Sequence, residues 1–537
     1  MSRRPALPGM ANIAAGLRQV VMTSTVLAAL LGTQLAAATD LVGVYEDALR
    51  SDPQLHQAEA NRQAAREARP QAWAALLPQI SGTLSRTQDK QDGSQGQVNF
   101  DPTTNTYFAI AEPYSVNSIQ KQWSLNLRES LFSYSNWMTL KQADIQVAQA
   151  EANWQSAQQN LILRVAQAYF AVLSAQDSLD ANQAALEAIS RQLEQAEKRF
   201  EVGLIPITDV QEARAAHDTA AAAVIAAKRS LATSGDQLSE ITGQKYDLLS
   251  KPGNNMPLTS PEPADEESWV QASLDRNLAL LSNRLAADIA RENVRIAFGG
   301  HVPSLDLLAS KSRSTTAANE RILPFDGQPA SNPFALDSAV NDRQYTLQIT
   351  VPLFSGGLVQ SRVRQTQYQW IAAKEQVVQS SRATERQARD AYLGVISGIA
   401  RVRALHQALE SSQTALKATE AGYEVGTRTA VDVLNARRTL VQAQTDYAGS
   451  RYDYIVSIVQ LRLAAGNLSR GDVVEVNSWL ARAEPTVPAQ PLQPPPGSQI
   501  MEDQPLQPPP ESAPPNQQPP NQQPPNQQPP GAPPQNP

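Results

Sequence analysis

Apolar residues along most of the chain recur at alternating steps of three and four positions. In the first half this spacing runs over 172–200 and 210–241, and in the second half over 402–423 and 433–461. Such spacing, with many small residues at the apolar positions, predicts coiled-coil helices that approach one another closely. We expect the first long helix to run from about 136 to 202, which is roughly 100 Å at 1.5 Å per residue.

Two regions replace the helical spacing with an alternation of apolar and polar residues. They are 79–134 and 303–355, which contain "WSLNLRESLF" and "YTLQITVPLF". Alternation with period two predicts strands that are apolar on one face. We expect four strands of about ten residues, joined by long polar loops near 91–119 and 315–342. Such strands fit a membrane-spanning β-barrel, and the alternative is a soluble β-hairpin cap. Four strands cannot close a barrel, so a barrel would require several chains.

The chain contains an internal duplication. "FEVGLIPITDVQEARAA" begins at Phe200, and "YEVGTRTAVDVLNARRTL" begins at Tyr423, at an offset of 223 residues. The same offset aligns "AYFAVLS" (168–174) with "AYLGVIS" (391–397). Each half therefore predicts a long helix, a break at Glu-Val-Gly and an antiparallel return helix. The predicted fold is mainly α, with two long coiled-coil hairpins and four strands per chain.

The two ends of the chain differ from the rest. The first 38 residues combine basic residues, a short apolar core and an Ala-x-Ala site before Thr39, which predicts a cleaved signal peptide. The alternative, a membrane anchor, needs a longer apolar run. Residues 485–537 consist largely of Pro, Gln and Asn, which predicts an extended tail that does not fold. That tail could act as a spacer, bind a partner or be a tolerated solvated end.

The predicted organisation follows from these boundaries. A signal peptide, 1–38, precedes the first repeat, 39–250, which contains a strand pair at about 79–134 and a hairpin at 135–245. A linker, 251–267, leads to the second repeat, 268–470, which contains a strand pair at about 303–355 and a hairpin at 358–467. A C-terminal periplasmic segment, 471–484, and the tail, 485–537, follow.

Composition narrows the possible functions. The chain has 537 residues, a formal net charge of −7, no Cys and four His. It therefore has no disulfide and no thiolate metal site, and its charge argues against a nucleic-acid partner. We find no catalytic motif, so we expect neither an enzyme nor a cofactor. His217 falls on an apolar seam position, and we interpret it as a packing residue and not as a metal ligand.

The duplicated halves resemble the TolC family of outer-membrane efflux and secretion channels. The resemblance rests on "LFS" at strand ends, "AY" early in each long helix, and the Glu-Val-Gly phrase with Asp-Val six residues later. It implies a homotrimer with a 12-stranded barrel in the Gram-negative outer membrane, in contact with its lipid, and a periplasmic helical tunnel. It also implies an exit duct for tripartite efflux or type I secretion. A periplasmic adaptor and an inner-membrane pump, ABC or proton-driven, would open that duct. The absence of Cys places the chain with the non-lipidated members.

The resemblance assigns roles to residues at the breaks between the helices. Tyr423 and Arg428 would be gate residues on the second hairpin, with Thr208 and Asp209 as their partners on the first hairpin. Asp432 would face the pore, where three copies could hold a cation. The family has a second acid at the position of Asn435, so we expect weaker cation selectivity and weaker divalent block here.

Spacing alone supports a simpler role for the same residues. Thr208 to Gln211 follows Pro206 and fits a helix start with a capping box. Asp432 falls in the first turn of the returning helix, where the helix dipole favours an acid. Gly203 and Gly426 fit C-terminal helix caps.

Two classes of function are consistent with these patterns. One is the outer-membrane exit duct described above. The other is an exported structural coiled coil or adaptor protein without a pore. The alternating strands argue for the duct, since a coiled-coil adaptor has no need of them.

Overall fold

The structure, a computed structural model, describes residues 39–253, 256–324 and 329–480. The predicted signal peptide, the last four residues of the predicted C-terminal segment and the predicted tail lie outside the described residues. Within the described part, each half of the chain passes through short helices, a pair of strands and a helical hairpin.

From residue 39 onward, where the described residues begin, the first half contains five helices and two strands. They are α1 (Leu41–Ser51), α2 (Pro53–Arg66), α3 (Ala68–Ala74), β1 (Gln79–Asp101), β2 (Thr106–Phe132), α4 (Tyr134–Glu201) and α5 (Ile207–Thr242). The second half repeats this order and ends in an additional helix. Its elements are α6 (Glu266–Arg276), α7 (Leu278–Phe298), a short 3-10 turn (Gly299–His301), β3 (Ser304–Ile322), β4 (Phe334–Thr350), α8 (Leu358–Glu424), α9 (Ala430–Ala464) and α10 (Arg470–Ser478).

The two longest helices, α4 and α8, carry the architecture. They have 68 and 67 residues, which corresponds to about 100 Å each. The bounds of α4 lie within two residues of the predicted helix at 136–202. One end of α4 packs on α2, α3 and α7, and the other end packs on α5 and α9. Both hairpins therefore lie side by side and turn back at the same end of the molecule.

The strands form one antiparallel sheet in the order β1-β2-β3-β4. They are much longer than the predicted ten residues, since β1 has 23 residues and β2 has 27. The prediction of long loops near 91–119 and 315–342 was therefore wrong, because the actual connections are 102–105 and 323–333. Backbone ladder bonds do not require apolar side chains. The outer part of β1 is mostly polar on both faces, and the outer part of β2 carries apolar residues on both faces, including Tyr107 and Phe108, so no alternation marks either one in the sequence.

One face of the sheet near the helices is apolar and exposed. Residues paired directly across an antiparallel sheet lie on the same face, so the register identifies the members of each face. Leu84 is 86% exposed and Tyr345 is 79% exposed. The opposite face carries mainly Ser, Thr, Asn and Gln. We call the first one the apolar face; its large residues are Ile80, Leu84, Trp123, Leu125, Leu127, Leu305, Leu307, Tyr345, Leu347 and Ile349.

A core between the hairpins and the short helices fixes the middle of the molecule. The ring of Phe170 stacks on that of Tyr452 with centroids 5.8 Å apart, and it meets Tyr169 edge-on at 5.3 Å. Three tyrosine hydroxyls donate hydrogen bonds to carbonyls of the segment between the halves. The donors and acceptors are Tyr169 to Ser250 (2.7 Å), Tyr454 to Thr259 (3.0 Å) and Tyr392 to Ala264 (3.1 Å). The hairpins are thereby anchored far from their tips.

Candidate functional site

Both hairpins turn on the same backbone feature. α4 ends at a cap residue, Val202, and α8 ends at Val425, and a glycine follows each of them. Gly203 has φ +75° and Gly426 has φ +79°. Glycine adopts this left-handed region without steric cost. The prediction that these two glycines end the helices is confirmed.

The second tip re-enters its helix through a capping box. The N–H of Asp432 donates to Thr429 Oγ1 (3.2 Å), while Asp432 Oδ2 accepts from the Thr429 N–H (2.9 Å) and hydroxyl (3.0 Å). These hydrogen bonds, from the backbone first and then from the side chain, lower the pKa of Asp432, and the nearby Arg428 lowers it further. Asp432 is therefore anionic at neutral pH, and it caps α9 as spacing predicted.

The first tip has no such cap. α5 begins at Ile207, directly after Pro206, and no side chain accepts a hydrogen bond at its start. The predicted capping box from Thr208 to Gln211 was therefore wrong. The helix starts two residues earlier than that prediction requires, so Thr208 lies inside the first turn and is exposed. Proline is suited to this boundary because its extended backbone at ψ 157° leads directly into the first turn.

All four predicted gate residues lie at this end of the hairpins. Thr208 and Arg428 are exposed, whereas Asp209 and Tyr423 are partly buried. Within the described part of a single chain, no hydrogen bond or ion pair joins Thr208 or Asp209 to Tyr423 or Arg428. The fold places these residues at the same end of the hairpins, but within the described part of one chain they are not bonded to one another.

A different residue links the two tips. The guanidinium carbon of Arg199, in the last turn of α4, lies 5.5 Å from the ring centroid of Tyr423, in the last turn of α8. This distance is within the range of a cation–π interaction. Our sequence analysis missed Arg199, although its place directly before Phe200, the duplicate of Tyr423, was a signal that could have identified it.

Arg428 is held close to its own backbone. The carbonyl of Gly422 accepts hydrogen bonds from the N–H groups of Thr427 (2.8 Å) and Arg428 (3.2 Å). A Cβ placed on Gly422 would lie 2.8 Å from Arg428 Cγ, so only glycine leaves room for the arginine stem. The guanidinium of Arg428 is thereby kept near Asp432, whose pKa it lowers.

Charged pairs clamp each hairpin just above its tip. Arg214 of α5 binds Glu197 of α4 (2.9 Å), and Arg437 of α9 binds Glu420 of α8 (2.5 Å). The two pairs are separated by the duplication offset of 223 residues. The Arg437 side chain is only 21% exposed, against 54% for Arg214.

The remaining predicted site residues also lie at the tips. Asn435 is exposed in the first turns of α9, three residues after Asp432. His217 is partly buried, with Nδ1 3.2 Å from Asp218 Oδ1, which agrees with a seam position. In the part of the chain that the structure describes, no group of three or more His, Cys, Asp or Glu could hold a metal ion.

The helices were also compared with the length and hydropathy that a membrane span requires. Among the residues that the structure describes, no helix meets both criteria.

Residues 44–244 and 269–467 match the sequence model of the family described as Outer membrane efflux protein. These two ranges contain both hairpins and make up more than half of the chain. The chain belongs to the outer membrane efflux protein family.

Curated relatives of this family member include Outer membrane protein TolC of Vibrio cholerae. That relative is 36% identical over 460 residues, which are 85% of this chain and 98% of the relative. The alkaline protease secretion protein AprF of Pseudomonas aeruginosa is 28% identical over 444 residues, 82% of this chain and 86% of AprF. Accordingly, this family member is a Gram-negative outer-membrane protein that serves as an exit duct for efflux or type I secretion.

Solved structures of similar fold include the CmeC outer membrane channel of Campylobacter jejuni. It superposes with a TM-score of 0.62 at 17% identity, over 82% of this chain and 90% of CmeC. The channel VceC of Vibrio cholerae gives a TM-score of 0.59 at 22% identity, over 79% of this chain and 96% of VceC. At these identities the likeness concerns the fold of the efflux protein and nothing finer.

Proposed function

We propose that three copies of the chain form one duct, with 12 strands closed into a barrel in the outer membrane and a periplasmic tunnel of helices. The observation that carries this proposal is the open sheet. β1 and β4 are its two edges, and neither has a second strand partner within the described residues. Unpaired edges require a partner or protection. About eight or more strands are needed for a barrel with a filled or open interior, so one chain of four strands cannot close alone. The resemblance to homotrimeric channels sets the proposed number of copies at three.

The apolar face supports a location of this sheet in lipid. Seven of its ten large side chains are exposed in the single chain and the other three are partly buried, and pairing at the edges would leave this face uncovered. A water-soluble sheet would bury such a face against another layer. In a membrane barrel the same face contacts acyl chains, and the Ser- and Gln-rich face lines a water-filled interior. The pore-free adaptor alternative has no use for this arrangement.

The tips of the hairpins would form the closed periplasmic end of the tunnel. In the assembled trimer, Tyr423 and Arg428 of one hairpin would bond to Asp209 and Thr208 of a neighbouring hairpin, each contributing about 1 kcal/mol net. A docked partner could break a few such bonds. The exposed Val202, Leu204 and Val425 at the same tips provide apolar contacts for that partner. We assign this role to a periplasmic adaptor acting with an inner-membrane pump, ABC or proton-driven.

Asp432 would form a ring of three anions inside this end. The capping box uses Oδ2 alone, and Oδ1 accepts no hydrogen bond within the described residues, so capping and pore lining are compatible. Carboxylates about 8 Å apart repel by about 2 kcal/mol per pair at an effective dielectric constant near 20. Such a ring attracts cations. Asn435 adds no charge, so block by divalent ions should be weaker than in a ring of six acids.

The test is single-channel conductance of the purified trimer in a planar bilayer, with and without a millimolar multivalent cation. We expect small, cation-selective currents in the wild-type trimer, blocked by the cation. Asp432→Asn should lose most of this block while still accepting the capping hydrogen bonds. Currents without any block, or equal block in Asp432→Asn, would remove Asp432 from the pore.

Two variants separate charge from helix capping. Thr429→Ala removes the capping box but keeps the carboxylate, so block should persist. Asp209→Asn removes the equivalent carboxylate of the first hairpin and should leave block nearly unchanged. A trimer that never conducts, even with Tyr423 and Arg428 both replaced by Ala, would overturn the duct and favour the pore-free alternative.

A further inference from the structure

The charged residues of the sheet are segregated by face. Direct cross-strand partners share a face, so the register assigns every Lys and Arg of the four strands. All of them except Arg128 lie on the apolar face. Carboxylates are mostly on the opposite face. The cations on the apolar face are Arg86, Lys90, Lys121, Lys311, Arg313, Arg321 and Arg343, and the carboxylates on the opposite face are Asp89, Asp101, Glu112, Asp306, Glu320 and Asp342.

The cations are also ordered along the strands. On each strand, the first residue of the apolar face beyond the apolar stretch, counted away from the helices, is a cation. Arg86 follows Leu84 on β1, Lys121 adjoins Trp123 on β2, Lys311 follows Ala309 on β3, and Arg343 adjoins Tyr345 on β4. We call Arg86, Lys121, Lys311 and Arg343 the cationic belt.

The belt residues are free to meet a ligand. All four are exposed, and within the described residues none of them forms a salt bridge. Lys311 Nζ lies 6.0 Å from the ring centroid of Trp123, so it projects from the same face as the apolar stretch. Cations on the lipid side of a barrel are costly at the midplane, by about 2–4 kcal/mol, and nearly neutral at the interface. The belt therefore marks the level at which acyl chains give way to headgroups.

We propose that the cationic belt binds the phosphate groups of phosphorylated lipids in the outer leaflet of the outer membrane. This inference rests on the proposed function, because it requires the sheet to be part of a membrane barrel with its helices in the periplasm. Each strand contributes one belt cation, so three copies would surround the barrel with a continuous ring. Guanidinium and ammonium groups are strong donors to phosphate oxygens.

The face on which the belt lies identifies lipid as the occupant. Exported cargo would pass through the interior, which is lined by the opposite face and carries most of the carboxylates. A phosphorylated lipid matches both parts of the apolar face, since its chains cover the apolar stretch while its headgroup reaches the belt. Basic clusters beside a membrane attract anionic headgroups in the same way.

The test uses the full-length trimer in detergent, titrated with diphosphorylated lipid A, with dephosphorylated lipid A and with inorganic phosphate. The readout is the temperature at which the trimer dissociates on a gel. We expect stabilisation by the phosphorylated lipid only, at a concentration where neither other probe acts. The variant Arg86→Gln/Lys121→Gln/Lys311→Gln/Arg343→Gln should bind that lipid at least tenfold more weakly.

A matched control removes the same number of exposed cations from the helices, as Arg229→Gln/Arg382→Gln/Arg403→Gln/Lys417→Gln. This control should bind like the wild type. If the fourfold belt variant does not trimerise, the double variants Arg86→Gln/Lys121→Gln and Lys311→Gln/Arg343→Gln serve instead, and each should lose part of the affinity. Lys121→Arg/Lys311→Arg keeps the charge and should retain it.

Three results would overturn the inference. They are equal binding by belt variants and wild type, equal stabilisation by the dephosphorylated lipid, and equal loss in the helix control. Failure of the proposed function is recognised separately. A chain that cannot be extracted from outer membranes as a conducting trimer would refute the duct, whereas a belt variant that conducts normally but still binds phosphorylated lipid refutes the belt alone.

Discussion

The two hairpin tips share a duplicated sequence but differ in how they are built. Both keep a glycine of positive φ at the turn, and both keep an Arg–Glu clamp at the same offset, Arg214–Glu197 and Arg437–Glu420. The equivalent positions that have diverged include Arg199 and Gly422, Ile205 and Arg428, and Pro206 and Thr429. The backbone feature has therefore been kept while the side chains around it changed.

Because of this divergence, the two tips make different contacts. The second tip is bonded to itself, because Arg428 folds over Gly422 and Thr429 caps the return helix with Asp432. The first tip has no cap and instead supplies Arg199, which reaches Tyr423 of the second tip. Within one chain the self-bonded second tip is joined to the first tip through the contact between Arg199 and Tyr423.

Replacing Gly203 or Gly426 should produce the largest loss of local stability, and the loss should be the same at both tips. A Cβ on Gly203 or Gly426 would meet nothing within 4 Å, so Val at either position is penalised only through its backbone, by about 1–2 kcal/mol. We expect faster hydrogen exchange in the last turns of α4 and α8, respectively. Gly394→Ala, at a helical glycine with open space, should not accelerate exchange. Unequal penalties for the two Val variants would show that the turns are not equivalent.

Replacing Thr429 and Thr208 by Ala should affect the two tips differently. Thr429→Ala deletes a capping box and should destabilise the first turn of α9 by about 1 kcal/mol. Thr208→Ala deletes an exposed side chain without a capping bond and should stay within about 0.5 kcal/mol of the wild type. Local hydrogen exchange measures both, and Thr429→Ser is the conservative control. Equal losses in the two Ala variants would contradict the difference seen between the helix starts.

The sequence predicts the features of these tips that depend on local rules. Helical spacing locates α4 to within two residues, and the glycine turns follow from the duplicated Glu-Val-Gly phrase. The start of α5 was misassigned because Thr208 and Gln211 match a capping box, while Pro206 can take the same boundary without any side-chain bond. A capping box and a proline start both fit this stretch, and residue spacing alone does not decide between them.

Contacts between separate helices and strands could not be predicted from the sequence. The pairing of Arg199 with Tyr423 depends on how α4 and α8 lie side by side, which no pattern within either helix specifies. The lengths of β1 and β2 were missed for a related reason. Their outer residues pair with each other as far as Asp101 and Thr106, and these backbone ladder bonds form whatever the polarity of the side chains.

The contact between the tips can be tested through the ring of Tyr423. Tyr423→Phe keeps the ring and loses only the proposed hydroxyl bond to Asp209, so it should raise the open probability less than Tyr423→Leu, which loses both. Arg199→Gln removes the contact with the ring and should raise the open probability about two- to fivefold. The expected loss is about 0.5–1 kcal/mol because the site is largely solvated. The measurement is single-channel open probability of the trimer without partners.

The same series distinguishes the ring from the hydroxyl. If Tyr423→Phe opens the channel as much as Tyr423→Leu, the hydroxyl bond to Asp209 implied by family resemblance is the effective one. A double-mutant cycle between Arg199→Gln and Tyr423→Leu should then show no coupling. Coupling in that cycle, with a smaller effect of Tyr423→Phe than of Tyr423→Leu, supports the cross-link through the ring.

The smallest expected difference between the tips is their response to acid. Hydrogen bonds from Thr429 lower the pKa of Asp432, so its carboxylate favours the folded tip wherever the unfolded group is also ionised. That contribution is complete above about pH 4, the ordinary value for Asp, and is lost as the pH falls through the lowered pKa. Protection factors in the first turn of α9, corrected for intrinsic exchange, should therefore stay constant from neutral pH to about 5 and decline below 4. Asp432→Asn should remove this decline, because the amide has no charge to lose. An identical decline in the first turn of α5, where no threonine cap holds the acid, would show that acid acts on both hairpins in common and not through the capping box.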